Sequence, residues 1–270
     1  MTTSNLSKSP AAKLGKKIAI TGKGGSGKTM LTAIMTGLLA RDKKLKLLAI
    51  DADSAVNLPY ALGLNAKQTV AEIRQKIIED PTARTEIKDK NIRIVMEEAL
   101  EKGDGFHLLV MGRPEGPGCY CSINDLLKYG IERLSKQFDI TLIDCEAGPE
   151  QVNRRVVNGM DLLIIVTDAS ARGVRVTDSI LGVIRGDDSM RHTKTGLVIN
   201  RLKGDDKLIT ESAKRWGIEI LGRVPEDENI TKFDSSGKPL IGLPDTSPSV
   251  SAVKDILRKI EPLVYRADTC

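Results

Sequence analysis

Histidine, aromatic residues and long apolar runs are all scarce in this chain. Only His107 and His192 occur among 270 residues, which argues against a histidine-based nucleophile–base triad and against a multi-histidine metal site. Phe, Tyr and Trp together make up 3%, and Trp216 stands alone, so single-stranded nucleic acid would find no stacking platform. No stretch approaches the ~18 consecutive apolar residues that span a bilayer. Met1–Lys17 is polar with scattered lysines and lacks the apolar core of an export signal. It reads as a mobile tail ahead of a single domain over 18–265, with the cytoplasm as the default compartment. There the four cysteines, Cys119, Cys121, Cys145 and Cys270, are expected as thiols or metal ligands rather than disulfides. Excess charge of one sign is also small: 41 Lys+Arg against 36 Asp+Glu, a net +5. The densest basic stretch, Arg41, Lys43, Lys44 and Lys46, falls between a helical segment and an apolar run and reads as a solvated turn rather than a nucleic-acid face.

What the chain does have is alternation. Short apolar runs at Ile18–Ile20, Leu47–Ile50, Leu108–Met111, Ile140–Ile143, Leu162–Val166, Leu197–Ile199 and Ile218–Val224 are separated by segments of helical spacing. Among these are Met30–Ala40, Asn124–Gln137, Val174–Arg185 and Lys207–Trp216. Near-continuous Ile/Leu/Val runs are strands buried on both faces. Their alternation with helices predicts an α/β fold with a mostly parallel sheet flanked by helices on both faces. Ligands of such sheets bind beyond the carboxyl ends of the strands. The chemically interesting residues fall there: a glycine loop after the first run, Asp51 and Asp53 after the second, Cys119 and Cys121 after the third, Asp144 after the fourth and Asn200 after the sixth.

The loop reads Gly22-Lys23-Gly24-Gly25-Ser26-Gly27-Lys28-Thr29 and fits the phosphate-loop pattern G-x-x-x-x-G-K-[ST]. Glycines let backbone N–H groups converge on a phosphate, and the following helix adds its positive end. Lys28 is placed to meet the β- and γ-phosphates of ATP, and the Thr29 hydroxyl to ligate Mg²⁺. Gly22, Gly24 and Gly27 also satisfy the dinucleotide pattern G-x-G-x-x-G, with Asp51 as its acidic residue. That pattern does not require Lys28-Thr29, a second carboxylate at Asp53, or a later strand ending in Asp144. Asp144 is expected to hold Mg²⁺ through water, Asp53 to orient attacking water, and the N–H of Gly148 to sense the γ-phosphate. Any one of these aspartates alone would read as a turn or cap residue.

The additional Lys23 makes the loop resemble the deviant Walker A loop of the MinD/ParA ATPases and the nitrogenase iron protein. The resemblance covers nearly the whole chain after the tail. It implies a P-loop NTPase fold, ATP hydrolysis to ADP and phosphate, and a homodimer in which Lys23 crosses to the partner's ATP. It also implies that Asp51-Ala52-Asp53 and Asp144-Cys145-Glu146-Ala147-Gly148 are switches. Asn200-Arg201 and Val224-Pro225-Glu226 would then line the adenine side. Met30 replaces a small polar residue common in that family, and its backbone N–H remains available to the α-phosphate. The segment Arg113-Pro114-Glu115-Gly116-Pro117-Gly118-Cys119-Tyr120-Cys121, with Glu146-Ala147-Gly148, is similar to the CooC-type ATPases that insert nickel into carbon monoxide dehydrogenase and to their relatives serving acetyl-CoA synthase. One of those nickel enzymes is therefore the expected client, with neither nucleic acid nor membrane as partner.

Two thiolates one residue apart cannot complete a tetrahedral site. A twofold dimer bringing Cys119 and Cys121 from each copy to its axis would supply four sulfurs, suited to Ni²⁺, Zn²⁺ or an iron–sulfur cluster. Ser122 and Asp125 read as the opening of the helix Asn124–Gln137, whose N-terminus would favour thiolate. Cys145 reads as a small buried residue, Cys270 as a terminal thiol and His107 as a core or edge residue. Two other functions compete with metal delivery. One is an iron–sulfur reductase resembling the nitrogenase iron protein, disfavoured because that family draws its cysteines from separated loops. The other is a MinD/ParA-like positioning ATPase, whose best support is the stripe Val250, Val253, Ile256, Leu257, Ile260 and Leu263. Such a stripe is more often core than membrane anchor.

Overall fold

The computed structural model describes residues 15–79, 96–113, 132–148 and 159–265. Among the described residues eight strands form one sheet: β1 (Lys16–Gly22), β2 (Leu47–Ala52), β3 (Glu101–Lys102), β4 (His107–Val110), β5 (Ile140–Cys145), β6 (Leu162–Thr167), β7 (Lys194–Leu202) and β8 (Glu219–Pro225). Their order across the sheet is β3-β4-β2-β5-β1-β6-β7-β8. Every pairing is parallel except the short edge strand β3, which runs antiparallel to β4. The expected parallel sheet is therefore present, with one antiparallel edge that carries no apolar run to announce it.

Strands β2, β5 and β6 are buried at every position, in keeping with their mainly aliphatic sequences. Alternate residues feed two cores. Ile18, Ile20, Leu47, Ala49, Ile140 and Leu142 pack with helices α1 (Lys28–Leu39), α2 (Leu58–Leu62) and α7 (Pro248–Tyr265). Ala19, Leu48, Ile50, Leu109, Ile143 and Leu163 pack on the other side with α3 (Val70–Glu79), α4 (Ala171–Gly186) and α5 (Lys207–Trp216). Helix α6 (Glu228–Ser235) has no fully buried residue. Because the central strands contribute side chains to both clusters, the sheet is the middle of three layers.

Several boundaries differ from the sequence expectation. Lys16 and Lys17, assigned to the tail, already belong to β1. The Lys16 amide donates to the Asp139 carbonyl at 2.9 Å, its ammonium pairs with Asp161 at 3.0 Å, and the Lys17 amide donates to the same carboxylate at 2.9 Å. Polar partners thus start the strand before its apolar run does. The 1–14 segment lies outside the described residues, as does all but the end of Asn124–Gln137, where Ser135–Gln137 forms a single 3-10 turn. The basic stretch after α1 is a turn, with Arg41 forked onto Asp245 and Lys43 on Asp104. In the C-terminal stripe Val250, Val253, Ile256 and Ile260 are fully packed in the first core. Among the described residues no helix is long and apolar enough to cross a membrane.

Candidate functional site

The carboxyl ends of the central strands meet at one rim. Neighbours β5, β1, β6 and β7 end there in Asp144, Gly22, Thr167 and the Asn200 segment, and β2 places Asp51 in register with Asp144. Between β1 and α1 the loop turns where a side chain has no place. A Cβ at Gly22 would lie 2.0 Å from the Val166 carbonyl oxygen, and one at Gly27, whose φ is +92°, 2.2 Å from the Asn200 amide nitrogen. Gly24 and Gly25 are exposed, and no atom lies within 3.5 Å of where their side chains would be. Bare backbone therefore faces the space above the loop.

Residues of β6 and β7, on one side of β1, pin this loop. The Lys23 amide donates to the Val166 carbonyl at 3.2 Å, the Ser26 amide to the Lys23 carbonyl at 3.1 Å, and the Asn200 amide group to the Ser26 carbonyl at 2.6 Å. Helix α1 then begins at Lys28 with no side-chain cap and no acidic residue in its first turn. The N–H groups of Lys28, Thr29 and Met30 have no preceding turn to bond, and the positive end of the helix is not neutralised. The Lys28 side chain is buried at this point. An anion is the natural complement.

The carboxylates divide by role. Asp144 is 1% exposed. One of its oxygens accepts a long bond from the Thr32 hydroxyl at 3.5 Å, and among the described residues the other has no partner. Burial pushes its pKa up to about 7, with the Thr29 hydroxyl and the Lys28 ammonium pulling back toward the ionised form. Such an orphaned oxygen beside a threonine hydroxyl fits a hydrated Mg²⁺, so Asp144 and Thr29 are the residues that would hold it and the ion would draw charge off the phosphates. The buried Ser26 hydroxyl, also without a partner among the described residues, borders the same space.

Asp51 is fully buried, and its pKa is likewise raised to about 7 by burial. Both of its oxygens are occupied, however, accepting the amides of Asp53 and Leu58 at 3.0 Å each. It therefore holds the turn that carries Asp53, the segment expected to face the nucleotide. Asp53 is half-buried at the rim and caps that turn through the Ala55 amide at 2.9 Å. A hydrogen bond of 3.2 Å from the Ser54 hydroxyl to Glu146 joins this turn to the segment after β5.

Gly148 is also placed at the loop, but its amide is not free. It donates to the Gly22 carbonyl at 3.0 Å, so a phosphate would have to displace that bond to be sensed. On the far side, Asn200 is buried, Arg201 has the left-handed φ of +53°, and Pro225 pairs in register with Leu202 on the adjacent strand. Glu226 is exposed and paired with Lys203 at 2.6 Å. Cys145 is fully buried, its thiol pushed far above the ordinary range by burial. His107 lies in β4, edge-on to the Phe138 ring, its pKa lowered by burial. Cys119 and Cys121 lie outside the described residues, and among those described no cluster of three metal-ligating side chains occurs.

Two site residues escaped the sequence reading. Asp168, directly after β6, is ion-paired with Lys23. Asp227, directly after the Pro225-Glu226 segment, caps α6 by accepting the Asn229 amide at 2.9 Å and ties it to α7 by accepting from the Ser247 hydroxyl and the Ser249 amide. Both obey the strand-end rule that selected Asp51 and Asp144, and that signal was available for each.

Comparison with known proteins agrees with this geometry. The family model described as the CobQ/CobB/MinD/ParA nucleotide binding domain matches residues 17–240. The chain is 36% identical to the uncharacterized ATP-binding protein MJ0685 of Methanocaldococcus jannaschii over 90% of this chain and 97% of that protein. It is 30% identical to the septum site-determining protein MinD of Bacillus subtilis, over 92% and 89% of the two chains. It is also 30% identical to the carbon monoxide dehydrogenase accessory protein CooC of Rhodospirillum rubrum, over 82% and 88%. Among solved structures, the cell division ATPase MinD of Pyrococcus furiosus superposes with a TM-score of 0.69 at 24% identity, covering 92% of this chain and 99% of that one. Because that family model matches most of the chain and these relatives align over most of their length, the chain belongs to the CobQ/CobB/MinD/ParA nucleotide-binding family.

Proposed function

We propose that the chain hydrolyses ATP as a twofold dimer and uses the nucleotide state to control binding and delivery of a soft metal ion, nickel foremost. The client on this reading is carbon monoxide dehydrogenase or acetyl-CoA synthase during its maturation. The observation that carries the hydrolytic part is the buried Asp144 oxygen without a partner, set beside Lys28 and Thr29 under an open glycine loop. Backbone N–H groups and the Lys28 ammonium hold the phosphates. Lys28 offsets charge on the transferring group, Asp53 orients the attacking water, and Lys23 serves the neighbouring copy's nucleotide.

On this reading the nucleotide state is relayed through two contacts at the rim. The Gly148 amide is bonded to the phosphate loop at Gly22, and Glu146 to Ser54 beside Asp53. A phosphate that breaks the first bond would move the segment after β5 and pull on the second. The metal part is supported by the Cys119-x-Cys121 pair and by the similarity to CooC. Lys28→Ala is expected to abolish turnover. Cys119→Ser with Cys121→Ser is expected to spare nucleotide binding while removing bound metal, read by anaerobic metal analysis of the nucleotide-free, ADP and ATP states. Full turnover in the first variant refutes the hydrolytic assignment, and unchanged metal content in the second refutes the thiolate site.

A further inference from the structure

Lys23 is not free in this structure. Its ammonium is ion-paired to Oδ2 of Asp168, a residue 145 positions away in sequence. The contact is fixed from both ends. The Lys23 amide donates to Val166 at 3.2 Å, which ties the root of the lysine to β6, and Asp168 follows β6 directly. The other Asp168 oxygen accepts from the Ser170 hydroxyl at 2.5 Å and from the Ser170 amide at 3.2 Å. Ser170 in turn caps α4 by accepting the Gly173 amide at 3.0 Å. A carboxylate mounted on a helix cap is thus aimed at the lysine, and the side chains are only 18% and 29% exposed, so solvent and salt screen the pair less than an open surface pair.

We propose that Asp168 is a positioning residue for Lys23: it holds the ammonium on its own subunit's β6–α4 junction, off the phosphate loop, until the triphosphate of a second copy competes it away. This inference rests on the reading that Lys23 acts across a twofold interface. The exchange is chemically balanced, since one charge-assisted hydrogen bond replaces another. The released carboxylate is not stranded, because both Ser170 donors remain on it. That separates this pair from a buried salt bridge whose opening leaves an uncompensated charge. The competitor must outbid a single carboxylate, and a terminal phosphoryl group carries nearly twice that charge. ADP also ends in a doubly charged phosphoryl group, but it is one phosphate shorter and carries one negative charge fewer, so it competes less well for the lysine.

Asp168→Asn removes the charge and keeps the shape and the oxygen facing Ser170. In the nucleotide-free protein, Lys23 should react about fivefold faster with a trace amine-acylating reagent, read by peptide mass mapping, as expected for loss of an ion pair worth ~1 kcal/mol. The other lysines should label as in the unmodified protein, which controls for folding. With a non-hydrolysable ATP analogue, the variant should self-associate at about 25-fold lower protein concentration in the ultracentrifuge, because each of the two copies is relieved of its pair. That gain should vanish when Lys23→Ala is added. Unchanged Lys23 labelling, or an association gain that survives in the double variant, overturns the proposal. If the unmodified protein fails to associate with the analogue while Lys23 labelling rises in the variant, the dimer reading falls and the hold on Lys23 stands.

Discussion

Asp144 is a carboxylate kept in a place that does not favour its charge. Burial dominates its raised pKa even with Lys28 nearby, so the surroundings disfavour the ionised form on balance. An acid whose folded pKa lies near 7 against an unfolded value near 4 binds protons in the fold that the unfolded chain does not. Stability therefore falls as pH rises through that window. Asp144→Asn, a neutral side chain of the same shape, should accordingly melt a few degrees higher than the unmodified protein at pH 8 in the absence of nucleotide. The difference should shrink toward zero near pH 5, where Asp144 is itself protonated, and ATP turnover should be lost at every pH. A variant that melts no higher at pH 8 would show that the carboxylate is not strained. Asp144 was legible because it ends an apolar run, as were Lys28, Thr29 and the glycines, which form a contiguous word. Asp168 also follows an apolar run, but its role is set by Lys23, 145 residues distant, so the strand end alone does not say what it does.

At the scale of elements, what could be read followed from what each one buries. Helix α5 was bounded at both ends from its spacing, and α1, α4 and α7 differ by a few residues because they each present a face to a core. Helix α2 has five residues and is set by Pro59 and by Gly63 at its end, too short for a period to show. Helix α6 has no fully buried residue and leans on the first core only through Ile230 and Phe233, and Asp227 ties its start to α7. One of its oxygens caps α6 and the other accepts at the opening of α7. Removing both with Asp227→Ala costs about 2 kcal/mol at ~1 kcal/mol per cap, lowering the melting temperature by roughly 4–8 °C for a chain of this size. Because Pro225 and Glu226 immediately precede it, nucleotide affinity should fall as well. Asp161→Ala supplies the comparison, since it breaks the Lys16 and Lys17 contacts at the start of β1. It should lower stability and leave nucleotide affinity unchanged. Equal affinities in the two variants would deny Asp227 any hold on the adenine side.

Across the whole molecule, chemistry is confined to one end of a sheet whose two faces are filled by core. The order β2-β5-β1-β6-β7 brings Asp53, Asp144, the glycine loop, Asp168 and Asn200 together from segments scattered between residues 22 and 200. Sequence could place these residues on one rim from strand ends alone, but could not say which neighbours touch, since lateral order is decided by crossovers. A ligand at that rim stabilises the fold by mass action, about 2.7 kcal/mol at a hundred times its dissociation constant. Mg·ADP at that level should raise the melting temperature by roughly 5–10 °C. The protection should also be uneven. Amide exchange should slow across 22–31, 51–58 and 144–148, where backbone N–H groups line or support the loop. It should stay unchanged at the 103–106 turn and at the start of β1, which lie at the opposite ends of their strands. The 22–31 effect should be lost in Lys28→Ala. Protection spread evenly over both ends of the sheet would mean that nucleotide tightens the fold as a whole, and the rim would lose its claim to be the site.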